Sequence, residues 1–158
     1  MQETLVLILC ARRREIRGRW EALLRIERVN TPLANPSALV LLVDSTLDEI
    51  FTALRRPRSR RRAARAAHAV AERDLCLCGR NPWLVYFEAG KQALVESLVL
   101  AQAKSATLDP LARDAAMAEL QLCLHEITRR EIETFCAVCQ FRHAPSSALV
   151  SEPSAHSR

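Results

Sequence analysis

Three dipeptides, Asn35-Pro36, Asn81-Pro82 and Asp109-Pro110, constrain this chain more than any other feature. Each joins a short side chain that accepts a hydrogen bond from an orphan N–H to a proline. The proline has no N–H to leave unpaired, and its φ is already helical. Three helix starts are thereby marked, and the apolar spacing fills in the bodies. A first helix is predicted over 3–29, ending before Thr31-Pro32. A second runs from Asn35 to about Arg56, with Leu39, Leu42, Val43, Leu47, Ile50 and Leu54 as its apolar stripe, and stops at Pro57. An Ala- and Arg-rich third helix is expected over 59–74. The segment 76–81 reads as a loop, followed by helices over 82–104 and 110–142.

The connections between these helices are two to seven residues long, and such short loops make neighbouring helices antiparallel. The expected fold is all-α: an up-and-down bundle of four to five helices over 1–142, then a disordered tail over 143–158 that is rich in Ser, Ala and Pro. Composition agrees. Of 158 residues, 24 are Ala, 23 are Leu and only 3 are Gly, which favours helix and disfavours a turn-rich β fold. The length fits one domain with a core of its own.

Six cysteines stand at positions 10, 76, 78, 123, 136 and 139. In an antiparallel hairpin turning near residues 106–107, positions whose numbers add to about 213 lie level along the axis. Cys136 is then level with position 77, and Cys139 with position 74. So Cys76 and Cys78 fall beside Cys136 and Cys139. Cys136 and Cys139, three apart, share a face of a helix, and Cys76 and Cys78, two apart, share a side of an extended loop. Four thiolates converging in this way suit a tetrahedral ion. Zinc is favoured because a closed four-cysteine site needs no redox chemistry and adds directly to folding. The single residue between Cys76 and Cys78 is shorter than usual for a zinc pair, though Gly79 follows as in a zinc knuckle. An iron–sulfur cluster, a reversible disulfide and plain buried thiols stay open beside it. Cys10 and Cys123 sit singly on apolar faces and read as core. Trp83, Tyr86 and Phe87 read as packing around the same bundle end, and Trp20 as core.

The pair Cys136-Ala137-Val138-Cys139 at a helix end resembles that of zinc-binding anti-sigma factors. That family carries a histidine four residues before the first cysteine, where this chain has Ile132. The segment 14–54, with Trp20, Pro36 and Thr46-Leu47-Asp48, is similar in apolar spacing to the helical N-terminal domains of RsbR-type stress-response regulators. No function is transferred from either resemblance.

The net charge is +5, and 21 of the 23 basic residues are arginine. Seven of these lie between Arg55 and Arg65 with no acid among them; without the seven the balance would be −2. Arg58, Arg60, Arg61 and Arg62 are the candidate contacts for a polyanion or an acidic partner. A second group, Arg12, Arg13, Arg14, Arg17 and Arg19, lies on the first helix. Aromatic residues make up only 4% of the chain, so base-stacking platforms are scarce. Phosphate loops, nucleophile elbows, H-E-x-x-H and paired Glu-x-x-His motifs are all missing. The apolar run 5–9 is too short for a leader or a span, and cytoplasmic thiols are expected to be reduced or metal-bound. The sequence is therefore read as a non-enzymatic, cytoplasmic, bacterial regulatory or interaction module with a protein partner, no membrane and room for a homodimer. Its ion is zinc on Cys76, Cys78, Cys136 and Cys139. The alternatives are a redox or iron–sulfur sensor on the same thiols, and a nucleic-acid binder using the 55–65 cluster.

Overall fold

The computed structural model describes residues 3–26, 32–56, 80–104 and 109–139. Helix α1 (Glu3–Ala11) and helix α2 (Arg13–Ile26) are separated at Arg12, where the sequence predicts one continuous helix over 3–29. At Arg12 the backbone N–H is shared between the carbonyls of Ile8 and Leu9, both at 3.1 Å, so the ladder tightens locally into a 3₁₀ step. A 3₁₀ turn over Pro32–Ala34 leads to α3 (Pro36–Leu39), a second 3₁₀ turn over Val40–Leu42, and α4 (Val43–Arg55). The long pair α5 (Pro82–Ala103) and α6 (Pro110–Val138) completes the described residues, which contain no strand.

The proline-marked starts fall where the sequence puts them. Asn35 Oδ1 accepts from Ser37 N–H at 2.9 Å, and Asn81 Oδ1 accepts from Trp83 N–H at 3.0 Å. Asp109 departs from the expectation: α6 begins at Pro110, but the Asp109 side chain makes no capping hydrogen bond. There the proline and the backbone bond from Arg113 N–H to Asp109 O set the start by themselves.

Helices α5 and α6 are antiparallel over their full length. Near the turn, Gln102 Nε2 donates to Arg113 O at 3.1 Å; at the far end, Asn81 meets Cys136. Helix α2 runs antiparallel to α5, since Arg12 reaches Ser97 while Trp20 reaches Tyr86. It is also antiparallel to α4, since Arg13 reaches Asp48 while Arg17 reaches Asp44. So α4 and α5 run parallel, and the chain between them, 57–79, lies outside the described residues. The third helix expected over 59–74 and the tail over 143–158 fall there too.

One apolar core joins all these helices. From α4 it takes Val43, Leu47, Ile50, Phe51 and Leu54, with Leu39 from α3. Leu42, expected in the same stripe, is 38% exposed because the 3₁₀ turn over Val40–Leu42 rotates it off the buried face. Trp20 is fully buried between α2 and α5. Cys123 is in the core as expected, whereas Cys10 lies half-buried at its edge with Arg55 Nη2 3.2 Å from its sulfur. No helix among the described residues is long and apolar enough to cross a membrane.

Candidate functional site

The site is assembled where α5 begins and α6 ends. Pro82 takes the first position of α5, and Asn81, with extended backbone, caps it. Asn81 is only 3% exposed. Its Oδ1 caps α5, and its Nδ2 lies 3.9 Å from Cys136 Sγ. Cys136 and Cys139 are both free and half-buried.

Cys136 lies in the last turn of α6 and Cys139 at its cap. Helix α6 ends at Val138, short of the predicted residue 142, and Cys139 is its extended C-cap with ψ of 116°. The Cys139 N–H turns back to the Cys136 carbonyl at 3.4 Å, closing the last turn in 3₁₀ fashion. The register inferred from the hairpin agrees with this end of the bundle. The contacting pairs Asn81–Cys136 and Gln102–Arg113 add to 217 and 215, within about one helical turn of the expected 213. Cys76 and Cys78 lie outside the described residues. Among the described residues, no three His, Cys, Asp or Glu side chains stand together to hold an ion.

Along the first turns of α5 lies an aromatic cluster. Trp83 stands edge-on to Tyr86 at 5.3 Å, Tyr86 edge-on to Phe87 at 5.1 Å, and Trp20 packs on Tyr86 at 4.9 Å. The Tyr86 hydroxyl is hydrogen-bonded to Thr46 Oγ1 at 2.8 Å. Burial pushes its phenol up to about 12, against a smaller opposing effect of that hydrogen bond.

The arginines of the first helical path are engaged inside the molecule. Arg12 pairs with Glu15 at 2.6 Å, Arg17 with Asp44 at 2.9 Å, and Arg13 with both Asp44 and Asp48. Arg19 holds Glu96 through two hydrogen bonds, at 2.7 and 2.9 Å. These guanidiniums keep the acids ionised. Asp44 is lowered by Arg17 and then Arg13, Asp48 by Arg13, and Glu96 falls to about 2 through Arg19 and then Gln92. Among the described residues, Arg14 stands exposed with no ion pair, while the other four arginines of that group are paired with acids. Arg58, Arg60, Arg61 and Arg62 lie outside the described residues. A cleft of about 350 Å³ between α4 and α6 is lined by Thr52, Ala53, Arg56, Cys123, Glu126 and Arg130 among others. Arg130 is already committed there to Glu49 at 2.7 Å.

Asn81 is the residue that sequence reasoning undervalued. It reads as a helix cap, and only the fold brings its other end to a sulfur. The signal that marks it is its place directly after Cys76-Leu77-Cys78-Gly79-Arg80. What the fold defines is a class, an all-α helical bundle. Comparison of the chain with models of known families, with characterised proteins and with solved structures gives no match, so its own residues carry the functional reading.

Proposed function

We propose that this chain is a non-enzymatic regulatory or interaction module whose bundle end is clamped by one zinc ion on Cys76, Cys78, Cys136 and Cys139. The observation that carries the reading is the approach of Asn81 to Cys136. Cys78 is three residues upstream of Asn81, so its Cα lies within about 11 Å of the Asn81 Cα by chain length alone. Two free thiols, Cys136 and Cys139, wait at that end of α6. A metal joining the two pairs would tie the segment that enters α5 to the segment that leaves α6. Such a tie contributes to folding directly, because the unfolded chain holds no preformed site. A reducing, cytoplasmic compartment keeps all four thiols available. The partner is a protein that meets the exterior of the bundle, where acidic groups would complement Arg58, Arg60, Arg61 and Arg62. Nucleic acid is the weaker partner, because the arginines of the first helical path are spent on internal acids.

The experiment is elemental analysis and absorption spectroscopy of the anaerobically purified chain. One zinc per chain without visible absorbance is the expected result. Iron with charge-transfer bands would replace the zinc clamp by a redox or iron–sulfur sensor on the same thiols. Six free thiols and no metal would overturn both.

A further inference from the structure

We infer that Asn81 is a positioning residue for the Cys136 sulfur, and that it passes the state of that sulfur to the start of α5. The inference rests on the four-cysteine reading and adds a residue that is not one of the ligands. Asn81 is 3% exposed, so both ends of its amide need partners inside the protein. The Trp83 backbone N–H, 3.0 Å away, can only donate, so the atom facing it is Oδ1. That fixes Nδ2 toward Cys136 Sγ at 3.9 Å.

A buried N–H donor has little to gain from a neutral thiol, which accepts weakly. It gains much more from a sulfur that carries negative charge, as a metal-bound thiolate does. Donors of this kind orient a ligand atom and tune its hold on the ion. The same amide also grips the backbone of Trp83, whose ring meets Tyr86 and Phe87. Charge gained or lost at the sulfur therefore pulls or releases a side chain that caps α5. The indole of Trp83 sits where that motion is felt.

The test uses nitrogen-15 NMR and tryptophan fluorescence on the full chain, titrated with zinc. The variant is Asn81→Ser. Serine is as good an N-cap, so α5 keeps its start, but its side chain is too short to reach the sulfur at the same time. Zinc is expected to move the Asn81 side-chain amide pair and the Trp83 emission, with Trp83→Phe identifying the latter. Asn81→Ser is expected to bind zinc about 10- to 100-fold more weakly with its helical content unchanged. Zinc affinity within twofold of the parent chain in Asn81→Ser overturns the inference. A zinc titration that moves nothing would remove the four-cysteine reading, and the inference is then judged without metal. Cys136→Ala must shift the Asn81 side-chain pair while Cys139→Ala leaves it in place; a pair unmoved by Cys136→Ala overturns the positioning role whatever zinc does.

Discussion

The indole Nε1 of Trp20 donates to the carbonyl of Tyr86 at 2.9 Å, with both rings fully buried. This seats the indole flat against α5 at Gly90, where an added Cβ would stand 2.2 Å from Trp20 Cζ2. Alanine is the better helix former by about 1 kcal/mol, so Gly90→Ala would stabilise an open helix. Here the ring cannot withdraw without giving up its hydrogen bond and its packing, and overpacking of this kind costs about 1–3 kcal/mol. Gly90→Ala is therefore expected to lower the melting temperature by several degrees. A variant as stable as the parent would mean that Trp20 does not lie against Gly90.

Tyr86 is the chain's single tyrosine, so tyrosinate absorbance reads it alone. Burial, the dominant cause, raises its pKa to about 12, above the ordinary value of about 10. The neutral phenol is the form the fold prefers. Its contribution is complete below about pH 10, the unfolded value, and is lost as pH rises through about 12. A spectrophotometric titration of the folded chain should show no tyrosinate near pH 10, and in denaturant the midpoint should return to about 10. A midpoint near 10 without denaturant would place the phenol in water.

The bundle was legible because its signals are local. Pro82 and Pro110 mark helix starts through backbone chemistry that no tertiary contact overrides, and Leu47, Ile50 and Leu54 repeat at the helical period. Leu42 was misjudged because a 3₁₀ turn changes which face a residue presents, and periodicity assumes an unbroken α-helix. The end of α6, at Val138 and not at 142, was misjudged for a related reason: helix ends are set by where the last carbonyls find donors. The arginines of the first path looked like a basic surface because their partners, Asp44, Asp48 and Glu96, lie 27 to 77 residues away. Sequence shows the charges, and only the fold shows the pairing. Asn81 is the same case on the site itself, a local cap whose second bond goes to Cys136, 55 residues on.

The Arg19–Glu96 pair gives a second pH signature, of opposite sign. Hydrogen bonds from Arg19 and then Gln92 depress Glu96 to about 2. A depressed carboxylate contributes above its unfolded pKa of about 4.3, and the contribution is lost as pH falls through about 2. Glu96→Gln should melt slightly below the parent at pH 7, and the gap should close across that window. Both side chains are over one-third exposed, so the gap is small and added salt should shrink it. A gap that is the same in acid as at pH 7 would mean that the pairing contributes nothing.

The helix starts are not equivalent, and substitution should separate them. Asn35 spends its side chain on Ser37 N–H, so Asn35→Ala is expected to cost about 1 kcal/mol. Asp109 makes no such bond, so Asp109→Ala removes only its charge near the helix dipole, about 0.3–1 kcal/mol at most. Urea denaturation of the two variants checks the order. Equal losses would show that Asp109 caps α6 in solution.

Cys123 and Cys136 are expected to part company when each becomes serine. Cys123 is 3% exposed, and its thiol donates only weakly to Ile50 O at 3.9 Å. Serine there buries a hydroxyl among apolar neighbours, so about 1–3 kcal/mol should be lost. That loss is expected with and without added zinc, at unchanged metal stoichiometry, because Cys123 lies on the α4 side of α6, about four turns from its end at Val138. Cys136 is half-buried with its sulfur at Asn81, and serine fits its place with little strain. Cys136→Ser should therefore match the parent when both are stripped of metal, and lose the stabilisation that zinc gives the parent. Melting curves with zinc and with chelator, run beside metal analysis, read both differences together. If Cys136→Ser gains as much from zinc as the parent does, the ion is held elsewhere and the clamp at the end of α6 does not exist.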